Sequence, residues 1–410
     1  MNMPVLRFKD NELQFPEWGS VKLSKLASIY DGTHMTPDYK ESGVPFYSVE
    51  HVTNNNFRDT KFIAEDIFDK ENKRVRLEKG DILLTRIGDI GTPKFIDWDV
   101  RASFYVSLAL IKQSKHINSR YLSHYVNTSF FQRELHHRTI HVAFPKKINL
   151  GEIGECLVSF PTAAEQTKIA NFLTAVDEKI TQLTQKCELL AQYKKGVMQQ
   201  IFSQELRFKD DDGQDFPEWE EKFLGELYSI TSSKRVFQSE WTKSGVPFYR
   251  AREVVKLSET GNVDNELFIS LAMYNDYKIK YGVPKPNDLL VTGVGTLGRL
   301  YVVKESDKFY FKDGNIIWFK SSNKVNSQFV KQLFQSPLIK KQIEDGASIT
   351  TVGTYTIDSA NKTKIPYPSL NEQEKIANFL TAIDDKLAHT QAQLTAAKQY
   401  KQGLLQQMFV

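Results

Sequence analysis

Three places in this chain of 410 residues carry residue types at spacings that chemistry uses. Gly293-x-Gly295-x-x-Gly298 comes after the strand-like run NDLLV, and such glycines can cradle a pyrophosphate when a helix begins directly after them. The next residues are RLYVV, which read as a strand, and the matching stretch of the first half, RIGDIG, lacks the first glycine. A strand–turn–strand connection is therefore the expectation. His137 and His141, beside His136, stand at a spacing that one helical face could offer to a metal. No acidic residue or cysteine completes a set, and HHRTIH lies past the end of a helical stretch, so a polar loop available to nucleic acid is expected there instead. Asp38 with Glu71 and Lys73 has the composition of a nuclease centre, but patterns this short arise by chance in any chain of this size. Neither a GxxxxGK phosphate loop nor the Asn/Asp-Pro-Pro-aromatic tetrad of amino-methyltransferases occurs. ATP hydrolysis and methyl transfer are not expected of this chain, and no catalytic or metal-binding residue is assigned.

Composition narrows the class. The chain is 40% hydrophobic and 12% aromatic, as folded proteins are, and its length suits two or three domains. No window approaches the length of a membrane span, and the opening MNMPVLRFKD lacks the apolar core of a signal peptide. Cys156 and Cys187 stand far apart, which fits a reducing cytoplasm and offers neither a disulfide framework nor a zinc site. A net charge of +4 permits nucleic-acid binding without indicating it.

The elements that would position any site come twice. LRFKDNELQFPEW (6–18) returns as LRFKDDDGQDFPEW (206–219), SGVPFY (42–47) at 244–249, and GDILLTRIGDIG (80–91) as NDLLVTGVGTLG (287–298). EQTKIANFLTAVDEKI (165–180) matches EQEKIANFLTAIDDKL (372–387) at 12 of 16 positions, and YKKGVMQQIF (193–202) matches YKQGLLQQMF (400–409). Between these segments the halves diverge: GTHMTPDYKE faces SSKRVFQSEWT, and HVAFPKKINL faces TVGTYTIDSA. Two like frameworks carrying two unlike surfaces suit a bipartite recognition protein; drift of loops after duplication is the alternative.

Segments 163–205 and 370–409 read as long helices, with apolar or small residues at 173, 176, 180, 183, 187, 190, 197 and 201, the alternating spacing of a heptad seam. The second seam comes 207 positions later, with Thr390 and Ala397 as its weaker members. A rod of roughly 60 Å results, and its seam calls for a partner helix. Antiparallel pairing lets two copies of one unit meet isologously, and it would bring the chain ends together. Off the seam lie Ile169, Phe172, Met198 and Phe202, then Ile376, Phe379, Leu405 and Phe409. These eight form either two equal docking patches for partner subunits or contacts with the flanking domains.

The repeated FPEW segments, the GDILLTRIGDIG-type turn, the EQxKIANFLTAxDxK helix starts and the helix ends YKKGVMQQIF and YKQGLLQQMF closely resemble Type I restriction–modification specificity subunits over the whole chain. The resemblance implies an α+β protein in which two pseudo-symmetric target-recognition domains are separated by two long antiparallel coiled-coil helices. The expected divisions are 1–160 (linker 1–19), 161–206, 207–367 (linker 207–220) and 368–410. It further implies double-stranded DNA as ligand, two modification subunits that methylate adenine N6 with S-adenosylmethionine, and two motor–nuclease subunits using ATP and Mg²⁺. Those cofactors would belong to the partners, and the location would be cytoplasmic.

Candidate DNA-reading residues are Tyr30, Thr33, His34, Glu50, His51, Arg86, His136 and Arg138 in the first half, with Lys146 and Lys147 on phosphates. In the second half they are Lys234, Arg235, Arg250, Arg252, Thr292, Arg299, Thr354 and Tyr355. Arginine can bond two acceptors of guanine and glutamate can accept from cytosine, whereas lysine mostly positions the backbone. The competing readings are a stand-alone bipartite DNA-binding protein and a nuclease or methyltransferase with a disguised site.

Overall fold

In this computed structural model, residues 4–8, 16–264, 267–347 and 353–410 are described; residues 9–15 of the first repeated motif and 351–352 of TVGTYTIDSA lie outside them. The run ILLTRI has no polar face, and it forms the inner strand Ile82–Ile87, buried along nearly its whole length. It pairs antiparallel with Leu108–Ile111 on one side and Asp89–Phe95 on the other, and Ile29–Asp31 closes a four-stranded sheet. A smaller sheet sets Val44–Tyr47 between Lys61–Ile63 and the parallel Ser103–Phe104. Helices Ser119–Val126 and Ser129–Arg138 begin at Asn118 and Thr128, whose side chains accept backbone N–H groups as N-caps.

The second half repeats this plan. Leu289–Thr292 lies between Ile316–Lys320 and Leu300–Val302, with Ser229–Thr231 at the edge, and a second sheet is built around Val246–Tyr249 and Phe268–Ile269. Two-stranded ribbons, Gly19–Lys22 with Leu157–Phe160 and Glu220–Phe223 with Lys364–Tyr367, close each domain where it meets a long helix.

Helices Ala163–Phe202 and Leu370–Gln407, of 40 and 38 residues, are as the seam predicts. The chain divides into two compact units, Met1–Gln185 with Gln391–Val410, and Lys186–Thr390, so each unit owns half of both helices. Within each unit the start of one helix runs antiparallel to the end of the other. In the first, Ile169 and Leu173 share a core with Leu404 and Met408; in the second, Ile376 and Leu380 share one with Val197 and Ile201. The same ion pair occurs once per unit, Lys401 Nζ to Asp177 Oδ1 at 2.6 Å and Lys194 Nζ to Asp384 Oδ1 at 2.5 Å. Thr390, a weak seam residue by type, is 1% exposed and turns its hydroxyl back to the Lys386 carbonyl oxygen at 2.7 Å. Among the described residues no helix is long and apolar enough to cross a membrane.

The linkers fasten each domain to the helix start. Arg7 binds Glu165 and Arg207 binds Glu372, through carboxylates that are wholly buried. Phe8 packs edge-on against Phe172, and Phe208 against Phe379.

Candidate nucleic-acid interface

In the first domain the strand pair around Gly88 turns over an internal brace. The buried Thr85 hydroxyl donates to Asp89 Oδ2 at 2.8 Å and accepts the Thr92 N–H at 2.9 Å, while Thr92 Oγ1 donates to the same carboxylate at 2.6 Å. In the second domain Thr292, also wholly buried, donates to the Thr296 carbonyl oxygen and accepts the Arg299 N–H at 3.0 Å. The glycines of 293–298 therefore turn one strand into its antiparallel neighbour, with Gly295 and Gly298 in the left-handed region, and no helix succeeds them to hold a pyrophosphate.

Two cavities border the first turn. One, of about 550 Å³, is lined by Tyr39, Ser48, Glu50, His51, Lys61, Asp89, Tyr105 and Ser107 among others. The second, of about 390 Å³, is lined by Gly88, Gln132, His136, Thr139, His141 and Lys146 among others. The structure thus gathers Glu50, His51, His136, Lys146 and, from the HHRTIH loop, His141 at one turn, and adds Tyr39, Lys61, Asp89 and Tyr105, which sequence reasoning did not select for this role. Asp89 had a readable signal: it stands inside a repeated motif where the other half has Thr296. The cluster around His136 and His141 is a ring contact, with centroids 4.5 Å apart and His141 Nε2 2.9 Å from the His136 carbonyl oxygen. No group of three metal-binding side chains exists among the described residues.

The remaining candidates of this domain serve the scaffold to different degrees. Arg86 is buried and donates to the Ile148 and Val106 carbonyl oxygens at 3.1 and 2.8 Å; burial lowers its pKa, with the Asp31 charge opposing. His51 is 4% exposed, and its Nδ1 accepts the Ser48 N–H at 2.9 Å as part of a helix cap. Burial holds its pKa below the ordinary value, with the Glu50 charge opposing. Thr33, also buried, donates to Glu71 at 3.1 Å, and Tyr30 packs against the sheet core. His34 is exposed but bonded to Asp31 at 2.6 Å. Burial raises the Asp31 pKa, yet its bonds from His34 and Arg74 outweigh this and keep the carboxyl below its usual range. Arg138 bridges Glu134 and Glu152, and Lys147 joins Lys146 on the surface.

In the second domain Lys234 and Arg235 are exposed. Lys234 Nζ lies 5.3 Å from the Tyr281 ring centroid and Arg235 Nε bonds Asp313 at 2.8 Å. Arg250 and Arg252 both bond the buried Glu253, at 2.7 and 2.5 Å; burial raises the pKa of that carboxyl, but the two arginines outweigh it. Arg299 is half exposed near Glu259, and Thr354 is partly covered. Tyr355 is 3% exposed, bonds Thr363 at 2.8 Å, and is raised in pKa by burial.

The eight off-seam side chains are largely interior. Ile169, Met198, Ile376 and Phe409 are buried in the domain cores, and Phe172, Phe202, Phe379 and Leu405 pack against those cores. Phe409 meets the rings of Trp18, Tyr121 and Tyr125. All eight side chains therefore contact the chain's own domains, and Phe172, Phe202, Phe379 and Leu405 keep part of their surface exposed.

The profile described as Type I restriction modification DNA specificity domain matches this chain twice, over residues 16–191 and 217–399. A putative type I restriction enzyme specificity subunit of Methanocaldococcus jannaschii is 26% identical over 398 residues, covering 92% of this chain and 90% of its own length. A counterpart from Haemophilus influenzae is 29% identical over 159 residues, 38% of each chain. The fold is similar to the crystal structure of a Type-I restriction-modification S subunit from M. genitalium, with TM-score 0.66 at 16% identity, covering 100% of this chain and 99% of that one.

Proposed function

The chain belongs to the Type I restriction modification DNA specificity family, and on that premise we propose that it reads a bipartite, asymmetric DNA target, one half-site per domain. One observation carries the reading: a braced turn is built twice on equivalent sheets, one per domain, but the exposed polar side chains of the two domains differ. Glu50, His136, Lys146 and Lys147 lie on the first domain, and Lys234, Arg235, Arg252 and Arg299 on the second. Two equal faces on a pseudo-twofold framework would read a palindrome; two unlike faces read an asymmetric site. The exposed lysines take phosphates, while Glu50 and the arginines are placed to address base edges.

The chain assembles with other subunits, and the further content is proposed with it. Two modification subunits methylate adenine N6 using S-adenosylmethionine, two motor–nuclease subunits use ATP and Mg²⁺, and this chain does no chemistry. The helix pair sets the spacing of the half-sites. The test is to reconstitute the chain with modification subunits and S-adenosylmethionine and to map N6-methyladenine. An interrupted, asymmetric motif is expected; an uninterrupted or symmetric motif, or methylation by this chain alone, overturns the reading.

A further inference from the structure

The most exposed large apolar side chain among the described residues is Phe144, at 105%, and Val142 beside it is 98% exposed. A lone exposed apolar residue is ordinary; this one is held out on a fastened stem. The Ile140 N–H donates to the Lys147 carbonyl oxygen at 2.8 Å, the Gly88 N–H donates to the Lys146 carbonyl oxygen at 2.8 Å, and Arg86 Nε donates to the Ile148 carbonyl oxygen at 3.1 Å. Lys147 also bridges Ile87. The loop therefore rises directly from the braced turn of the candidate interface.

The loop itself is cationic, and Asp89 at the foot of its stem is turned to the Thr85 and Thr92 hydroxyls. Residues 139–149 include His141, Lys146 and Lys147 and no acidic residue, and the nearest acids in sequence, Glu134 and Glu152, are both engaged by Arg138. An aromatic tip with a collar of positive charge is complementary to stacked bases flanked by phosphates, and apolar side chains that enter between base steps use this combination. A purely apolar protein surface would leave the collar without counter-charge.

We propose that the 141–147 loop is a wedge: Phe144 enters a groove of duplex DNA and seats at one base step of the first half-site, with Lys146 and Lys147 on the flanking phosphates. The distortion belongs to one half-site only. The repeat is in register at 207 positions here, since the Ile148 N–H bonds the Arg86 carbonyl oxygen as the Tyr355 N–H bonds that of Gly293, and the corresponding stretch of the second half, DGASITTVGT (345–354), contains no aromatic residue. This inference rests on the reading of the chain as a DNA-specificity subunit.

The experiment uses the complex reconstituted with modification subunits and duplexes carrying 2-aminopurine at each position of the first half-site other than the methylated adenine. The wild-type complex should raise 2-aminopurine fluorescence at one step. Phe144→Ala, a change at a fully exposed side chain, should abolish that rise and weaken specific binding about tenfold. Phe144→Leu should keep part of the rise, and second half-site probes should stay silent in all forms. An unchanged signal in Phe144→Ala overturns the wedge, as does failure of that variant to assemble, which would place the tip on a partner subunit. A wild-type complex that directs no specific methylation overturns the functional reading itself, and is distinguishable because it needs no variant.

Discussion

The backbone N–H of Leu6 donates to the carbonyl oxygen of Gln407 at 2.9 Å, and that of Leu206 donates to the carbonyl oxygen of Gln200 at 3.0 Å. Gln407 and Gln200 are equivalent in the repeat, so one junction is made twice, once through space and once along the chain. A permutant opened between the exposed Gln204 and Glu205, with the original ends joined by a short Gly/Ser linker, should therefore fold and melt within about 5 °C of the wild type. Circular dichroism on heating measures this; loss of the cooperative transition would mean that the two junctions are not interchangeable.

The duplicated ion pair should not be equally valuable. Lys194 has 9% side-chain exposure and its burial lowers its pKa, whereas Lys401 has 21% and meets an Asp177 that is 37% exposed. Lys194→Ala leaves Asp384 with the Gln332 amide, at 2.8 Å, as its bond to the domain, and should cost about 2–3 kcal/mol. Lys401→Ala should cost about 1 kcal/mol or less. Equal losses in parallel urea titrations would contradict the argument.

The second half should dimerise when isolated. Val197, Met198 and Ile201 supply part of its core but precede residue 206. In a 206–410 fragment the equivalent residues Leu404, Leu405 and Met408 of a second copy can take their places, since the helix ends are near-copies. Sedimentation should show a dimer that dissociates on dilution, because the contact loses the effective concentration of a single chain. A folded monomer would show that the helix end is dispensable.

His124 makes the first unit acid-sensitive. It is 8% exposed, and burial lowers its pKa to about 4 from 6.5, against the opposing pull of Asp177. The unfolded chain takes up the proton first, so stability is unaffected well above pH 6.5, falls between pH 6.5 and about pH 4, and levels below that. The loss should reach about 3 kcal/mol at the bottom of the window. Subtracting the curve of His124→Gln isolates it; a flat difference between pH 7 and 4 would refute it.

Among the interface candidates, exposure separates two kinds of effect. Lys146→Ala and Lys147→Ala should weaken complex binding to all sequences and each lower the slope of log K against log salt by about 1, with thermal stability unchanged. Arg86→Ala should instead lower stability by about 2–4 kcal/mol, because it strips two buried carbonyl oxygens of their donor. Melting temperature and salt-dependent binding on the same variants decide between them.

Much of this architecture was legible without coordinates because it is written in periodicity and repetition. The heptad seam specifies two long helices, and the runs DILLTRI and NDLLV specify inner strands, since local pattern and burial agree. The Gly293–Gly298 motif was likewise decided by the strand-forming RLYVV directly behind it. Sequence could not decide the direction in which side chains face. Arg86, Thr292 and Tyr355 are polar residues in the divergent or turn-forming segments, where surface exposure is the ordinary expectation. Each is instead drawn inward to satisfy buried backbone or hydroxyl groups. Phe172 and Phe409 lie off the seam and looked free for a partner, but linkers and domains return to cover them. Those contacts join residues far apart in the chain, so they exist only once linker, domain and helix ends have come together.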